Sequence, residues 1–166
     1  LDLYATSVDY DPNADVSRTF FATVQNKLHY AAHGRTAAEV IAERADASKP
    51  FMGLLTFAGE EPRAADVTVA KNYLDADELR RLNTLVSAYF DAAEFRALRH
   101  EPTYMADWEG HLDRMMVAMD APVLTSTGSV SHAEAERIAK EQLTAYKQRR
   151  RDLPTDVERA YLDAVK

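Results

Sequence analysis

Phe20-Phe21-Ala22-Thr23-Val24-Gln25-Asn26-Lys27-Leu28-His29-Tyr30-Ala31-Ala32-His33-Gly34-Arg35-Thr36-Ala37-Ala38-Glu39 decides how this chain folds. Phe20, Val24, Leu28 and Ala31 recur at three- and four-residue spacing, with Phe21 and Ala32 beside them, so one side of a helix is apolar. The pattern predicts a helix from about Val16 to His33. Gly34 then supplies the left-handed residue that ends helices. Thr36, followed three positions on by Glu39, is a capping box, so a second helix starts at once and buries Val40 and Ile41. Pro50 bars its continuation.

The same start signal recurs outward at Asp75…Glu78, Ser131…Glu134 and Thr155…Glu158. At Asp75, Leu74 and Leu79 stand where a hydrophobic staple would close over the helix start. A long helix is expected from Ala76 to Leu98, with Leu79, Leu82, Leu85, Val86, Tyr89, Phe90 and Ala93 as its stripe. Another follows Pro102, with Trp108, Leu112, Met115, Met116 and Met119 on one side, the methionines as core filler. Pro122 to Ser129 reads as a linker of small residues. The helix from His132 to about Gln148 has a thin apolar stripe of Ala135, Ile138, Leu143 and Tyr146, which fits a peripheral helix or one packed on a missing partner. Phe51 to Ala70 is the least helical stretch. Gly53-Leu54-Leu55-Thr56-Phe57 and Val67-Thr68-Val69, separated by Gly59-Glu60-Glu61-Pro62, fit two short strands, while Asp66 equally suits the cap of a short helix through Tyr73. The expected fold is mainly α: one multi-helix domain over residues 1–166, with one short β-hairpin or flap near residues 53–69.

Composition narrows the function classes. The chain has no cysteine, which removes disulfides, thiolate nucleophiles and cysteine zinc sites and fits a reducing, cytoplasmic setting. The longest uncharged apolar run, Phe51 to Ala58, is far short of the ~20 residues that span a bilayer, so no membrane role is expected. Leu1-Asp2-Leu3-Tyr4 has no basic stretch followed by an apolar run, so it does not read as a secretory leader. The first residue is not Met, and a preceding part of the protein is expected. A net charge of −7 argues against this segment being a main nucleic-acid surface, which needs a basic face. The basic run Lys147-Gln148-Arg149-Arg150-Arg151 reads as a solvated helix end, where cations suit the dipole.

Three segments carry a family resemblance: Phe20 to Glu39, Glu43-Arg44-Ala45-Asp46-Ala47-Ser48-Lys49-Pro50, and Asp66-Val67-Thr68-Val69-Ala70-Lys71-Asn72-Tyr73-Leu74. They resemble the RhuM virulence-protein family, and the resemblance covers nearly the whole chain. It implies an intact protein with an N-terminal DNA-binding part, winged-helix-like or phage-regulator-like, of which this is the C-terminal domain. It also implies genes on pathogenicity islands, on prophages and beside restriction systems. It implies no established activity.

The candidate site is the corner between the first two helices. His29 and His33 are four apart on one helical side, a spacing that lets two imidazoles grip a metal with Glu39 or Glu43 as a third ligand. Tyr30 stands where a metalloprotease helix has Glu, and no metal is expected. Leu28-His29-Tyr30-Ala31-Ala32-His33-Gly34-Arg35-Thr36 also resembles a worn Fic motif. That resemblance implies a nucleotide-binding or nucleotidyl-transferring domain, with His29 as general base and the helix start with Arg35 on a phosphate. The Pro and Phe after the motif's His are missing, as are the Asn before Arg35 and the second Arg. The third reading is a structural corner in which Gly34 turns the chain and Glu43 and Arg44 pair with neighbours.

Catalytic candidates are therefore His29, Arg35 and Lys71, with His33, Gly34, Thr36, Arg44 and Asn72 as ligand-binding candidates; His29, Arg35, Arg44 and Lys71 are expected in one polar depression. No cofactor is indicated: the glycines are scattered, and no serine sits in an elbow motif. Asp9-Tyr10-Asp11-Pro12-Asn13-Ala14-Asp15 resembles the start of a calcium loop, but Ala14 replaces its Gly and Phe20 its bidentate Glu, so it reads as an acidic lead into the first helix. The leading expectation is an interaction or oligomerisation module of a mobile-element DNA-binding regulator: a homodimer through the helix at 132–148, with nucleic acid left to the N-terminal part and a further protein partner allowed for.

Overall fold

The computed structural model describes residues 7–11, 15–100, 102–151, 161, 164 and 165. The start signal at Thr155 lies outside them, as does part of the acidic segment before the first helix. The described residues form six α-helices and no strand: α1 (Asp15–His33), α2 (Ala37–Arg44), α3 (Ala64–Val67), α4 (Ala76–Leu98), α5 (Met105–Ala118) and α6 (His132–Arg151).

The remaining start signals act as read. Thr36 and Glu39 close a reciprocal box, and so do Asp75 and Glu78. Glu134 N–H donates to Ser131 Oγ at 3.2 Å. Leu74 is buried and Leu79 half-buried in the same core, as a staple requires.

α1 packs on α4 and α5, and α6 packs on α2 and α3, so α2 couples the two groups of helices. Trp108, Tyr73, Tyr89, Ile41, Met52, Leu82, Leu112 and Met116 are fully buried at the centre. Burying an aliphatic side chain of this size contributes about 1.5–3 kcal/mol, so this group drives assembly.

Two expectations are corrected. The hairpin near residues 53–69 does not form. Phe51 and Met52 adopt left-handed backbone angles (φ 49° and 48°), which fold the chain back at the point where a strand would start. Leu55 N–H and Thr56 N–H then both donate to the single Asn72 carbonyl, at 2.7 and 3.2 Å, instead of forming a ladder. Val67 is buried within a helical turn, its carbonyl accepting from the Tyr73 hydroxyl at 2.8 Å. Nor does Asp66 start a helix through Tyr73: it is the third residue of α3, its carboxylate accepting from Arg63 N–H at 2.8 Å, and a separate short turn covers Ala70–Tyr73.

The second correction concerns α6. Its Ala135, Ala139, Leu143 and Tyr146 are buried in the domain's own core, and Ile138 is only half-buried. The alanines allow close approach to α2, so a thin stripe suffices to dock the helix on the domain itself.

Candidate functional site

The corner is built from its turn outward. Gly34 has φ 77° and donates its N–H to Tyr30 carbonyl at 2.7 Å, ending α1. Thr36 is fully buried; its N–H donates to Glu39 Oε2 at 2.8 Å while Glu39 N–H donates to Thr36 Oγ1 at 3.3 Å. Asn26 of α1 accepts the Ala37 N–H, which fixes the start of α2 to α1. The segment before α6 completes the corner. Ser129 donates its N–H and hydroxyl to Glu39 Oε1, each at 2.7 Å. Partial burial pushes the Glu39 carboxyl up, but the N–H groups of Ser129 and Thr36 and the Ser129 hydroxyl outweigh it and hold it at about 2.

His29 is 1% exposed, beneath the corner. Its Nδ1 lies 2.9 Å from His33 Nε2, so one ring donates to the other. Burial, then His33, then Lys71 lower its pKa to about 4, so it is neutral near pH 7. The half-buried His33 is also lowered, by burial first, with Arg44 and Arg81 adding to this and Glu78 opposing it. Arg44 points across to α4: Nη1 and Nη2 each donate to a Glu78 oxygen at 2.6 Å, and Nη1 also donates to Tyr73 carbonyl at 2.9 Å.

Arg35 is exposed and turns to Glu43, with Nε donating to Oε2 at 2.8 Å and Nη1 to Gly34 carbonyl at 3.1 Å. It borders an open cavity of about 570 Å³ with Tyr30, Gly34, Glu39, Glu43 and Ser129. Lys71 borders a different one, a groove of about 1060 Å³ between α1, the start of α2, residues 68–71 and residues 127–132. Asn72 is half-buried and holds the Asp66 carbonyl at 2.8 Å. His29, His33 and Arg44 border neither cavity. The four residues expected in one depression therefore do not line one cavity: His29 is inside, Arg44 is in an interhelical ion pair, and Arg35 and Lys71 border two cavities that meet at Ser129 and Val130. What joins His29 to Lys71 is proximity of charge alone.

Among the described residues, no group of three His, Asp or Glu side chains is arranged to hold a metal. Glu39 is taken by Ser129 and Thr36, and Glu43 by Arg35. No helix among the described residues is long and apolar enough to cross a membrane.

Two participants, Glu78 and Ser129, carry no site signal in the sequence. Glu78 is legible only as a capping partner, and Glu39 as a capping partner or a third metal ligand; each proves to be the acceptor that holds a second element. Ser129 stands ninety positions from Glu39, in a segment without periodicity, and has no local signal. Lys27 is a further case. Buried on α1, it reaches Asp113 at 2.8 Å, Glu109 at 3.5 Å and the Leu124 carbonyl at 3.2 Å.

The architecture is a small all-helical domain whose charged corner is internally paired. The chain belongs to the Virulence protein RhuM family, whose model matches residues 1–153 of its 166 residues. No curated protein and no solved structure matches it.

Proposed function

We propose that this domain is a non-enzymatic interaction module of a virulence-associated, DNA-binding regulator, and that it pairs with a second copy of itself. The observation that carries the reading is the state of the corner. Arg44 and Arg35 are each satisfied by an internal carboxylate, and His29 is buried and neutral. A phosphate-binding site needs free cationic donors on one surface. A Fic-like reaction would also need His29 and Arg35 to face the same cavity, and they do not.

The self-association surface moves from α6 to α4. Phe95 is 64% exposed and Leu98 70%, on the side of α4 turned away from Leu82, Leu85, Tyr89 and Ala93, with Phe90 also exposed. Clustered large apolar side chains on an otherwise polar surface mark contact sites. A two-fold pair would cover each patch with its own copy. The net charge of −7 leaves DNA contact to the N-terminal part that the family resemblance implies.

Two measurements separate the readings. The molar mass should rise with concentration from that of one chain to that of two. Nucleoside triphosphates with magnesium should leave the melting temperature unchanged, since only a ligand of the folded state raises it. A constant single-chain mass together with a nucleotide-dependent rise in melting temperature would reverse the assignment in favour of the enzyme.

A further inference from the structure

A third cavity, of about 250 Å³, lies between α4 and α5, away from the corner. Tyr89, Ala93 and Trp108 line it together with Arg96, His111 and Arg114. The polar ends of its aromatic residues are already engaged. The Trp108 indole N–H donates to Ser7 Oγ at 2.7 Å, and the Tyr89 hydroxyl donates to the Trp108 carbonyl at 3.2 Å. What they offer the cavity is apolar ring surface.

The cations differ from every arginine of the corner. Arg96 Nε is buried and makes no hydrogen bond. Arg114 Nη2 lies 3.2 Å from His111 Nδ1. Arginine only donates, so Nδ1 accepts and the His111 proton sits on Nε2. Among the described residues, no carboxylate pairs with Arg96 or Arg114. The acids of α5 are committed elsewhere: Glu109 and Asp113 face Lys27, and Asp107 caps the helix start. Arg96 and Arg114, without acids of their own, thus border a mainly apolar cavity that Trp108 also lines. A buried donor left without an acceptor is destabilising, and an anionic ligand would relieve it.

We propose that this cavity binds a small carboxylate with a single-ring or short-chain apolar body. The carboxylate meets the forks of Arg96 and Arg114, a geometry that favours a planar two-oxygen acceptor. The body lies against Trp108 and Tyr89. The volume admits one ring, not a nucleotide. Neither Phe95 nor Leu98 lines the cavity.

Trp108 is the only tryptophan in the chain, so its emission reports on the cavity. Benzoate, phenylacetate and hexanoate are titrated, with phenylacetamide and inorganic phosphate as controls. The expected result is a saturable change with the carboxylates and at least roughly tenfold weaker binding of both controls, the scale of losing a charge-assisted fork. Arg114 is exposed, so Arg114→Gln should keep the melting temperature and weaken the carboxylates roughly tenfold, while Arg114→Lys restores part of the loss. The proposal is overturned if none of the three carboxylates saturates. It is equally overturned if phenylacetamide binds as well as phenylacetate, or if Arg114→Gln and Arg96→Gln both leave the affinity unchanged.

Discussion

Arg44 at the end of α2 and Glu78 in the first turn of α4 form a two-pronged ion pair, 2.6 Å on each prong, that ties the second helix to the fourth. Glu78 also accepts the Asp75 N–H at 3.0 Å, so one carboxylate both caps α4 and anchors α2. The side chains are 30% and 10% exposed, so solvent screens the pair only partly.

Removing one partner should therefore be costly. Arg44→Met leaves Glu78 without its counter-ion, and a loss of about 2–4 kcal/mol is expected. That is about 5–15 °C in melting temperature for a chain this size. Glu78→Gln retains the cap but loses the pair. Chemical denaturation of both single variants and the double variant should show strong non-additivity, the double costing little more than either single. Additive losses would mean that the two side chains act separately.

Acid should destabilise the domain in two stages. The folded His29 has its pKa lowered to about 4 by burial, His33 and Lys71, against 6.5 in an unfolded chain. Between those values the unfolded chain takes up a proton that the fold excludes, so stability falls as pH falls from 6.5 to 4. Glu78, lowered to about 2 chiefly by Arg44, and Glu39, also at about 2, contribute stability above 4.5 that is lost as pH falls through 2. Melting temperature against pH should slope across both windows. His29→Phe should reduce the upper slope and leave the lower one, the remainder of the upper slope belonging to His33, which burial also lowers; an unchanged slope in that variant would show that His29 is not a group responsible.

Gly128 tests the closure of the corner. It has φ 87°, and a Cβ there would come 2.7 Å from Thr36 Cγ2. Gly128→Ala meets both an unfavourable backbone angle and the buried cap of α2. An expected loss of about 2 kcal/mol or more, read by chemical denaturation, would confirm that residues 127–131 are locked onto α2. A neutral result would show that the segment moves aside freely.

Much of this fold is legible in the residues. Helix starts are local: Thr36 with Glu39 and Asp75 with Glu78 need only three positions to declare themselves, and both boxes form. The α4 core stripe is likewise written in spacing, as Leu82, Leu85, Tyr89 and Ala93 show. Residues 51–70 misled because their apolar and β-branched side chains suit a strand, while the left-handed Phe51 and Met52 are set by tertiary packing that propensity does not encode. The corner was readable as a cluster of polar residues, but not how they pair. Arg44 and Glu78 are thirty-four positions apart, and Glu39 and Ser129 ninety. The docking of α6 is less legible in the residues, because Ala135 and Ala139, both fully buried, supply contact surface out of proportion to their apolar bulk.

Leu143 carries that last point into an experiment. It is buried in the domain's own core, so Leu143→Glu places a charge among apolar side chains. It should unfold the domain or lower its melting temperature severely, a loss of about 3 kcal/mol or more. A stable, helical Leu143→Glu protein would return α6 to the periphery.

The central claim is that the domain pairs through the outer side of α4. Its most direct test is the molar mass, by light scattering, of the wild-type domain beside the Phe95→Glu, Leu98→Glu double variant at the same high concentration. Both side chains are largely exposed, so the variant should keep its helical spectrum. The expected result is twice the 18.6 kDa of one chain for the wild type and a single-chain mass for the variant. A wild-type mass of one chain at every concentration, or a variant that still pairs, would contradict it.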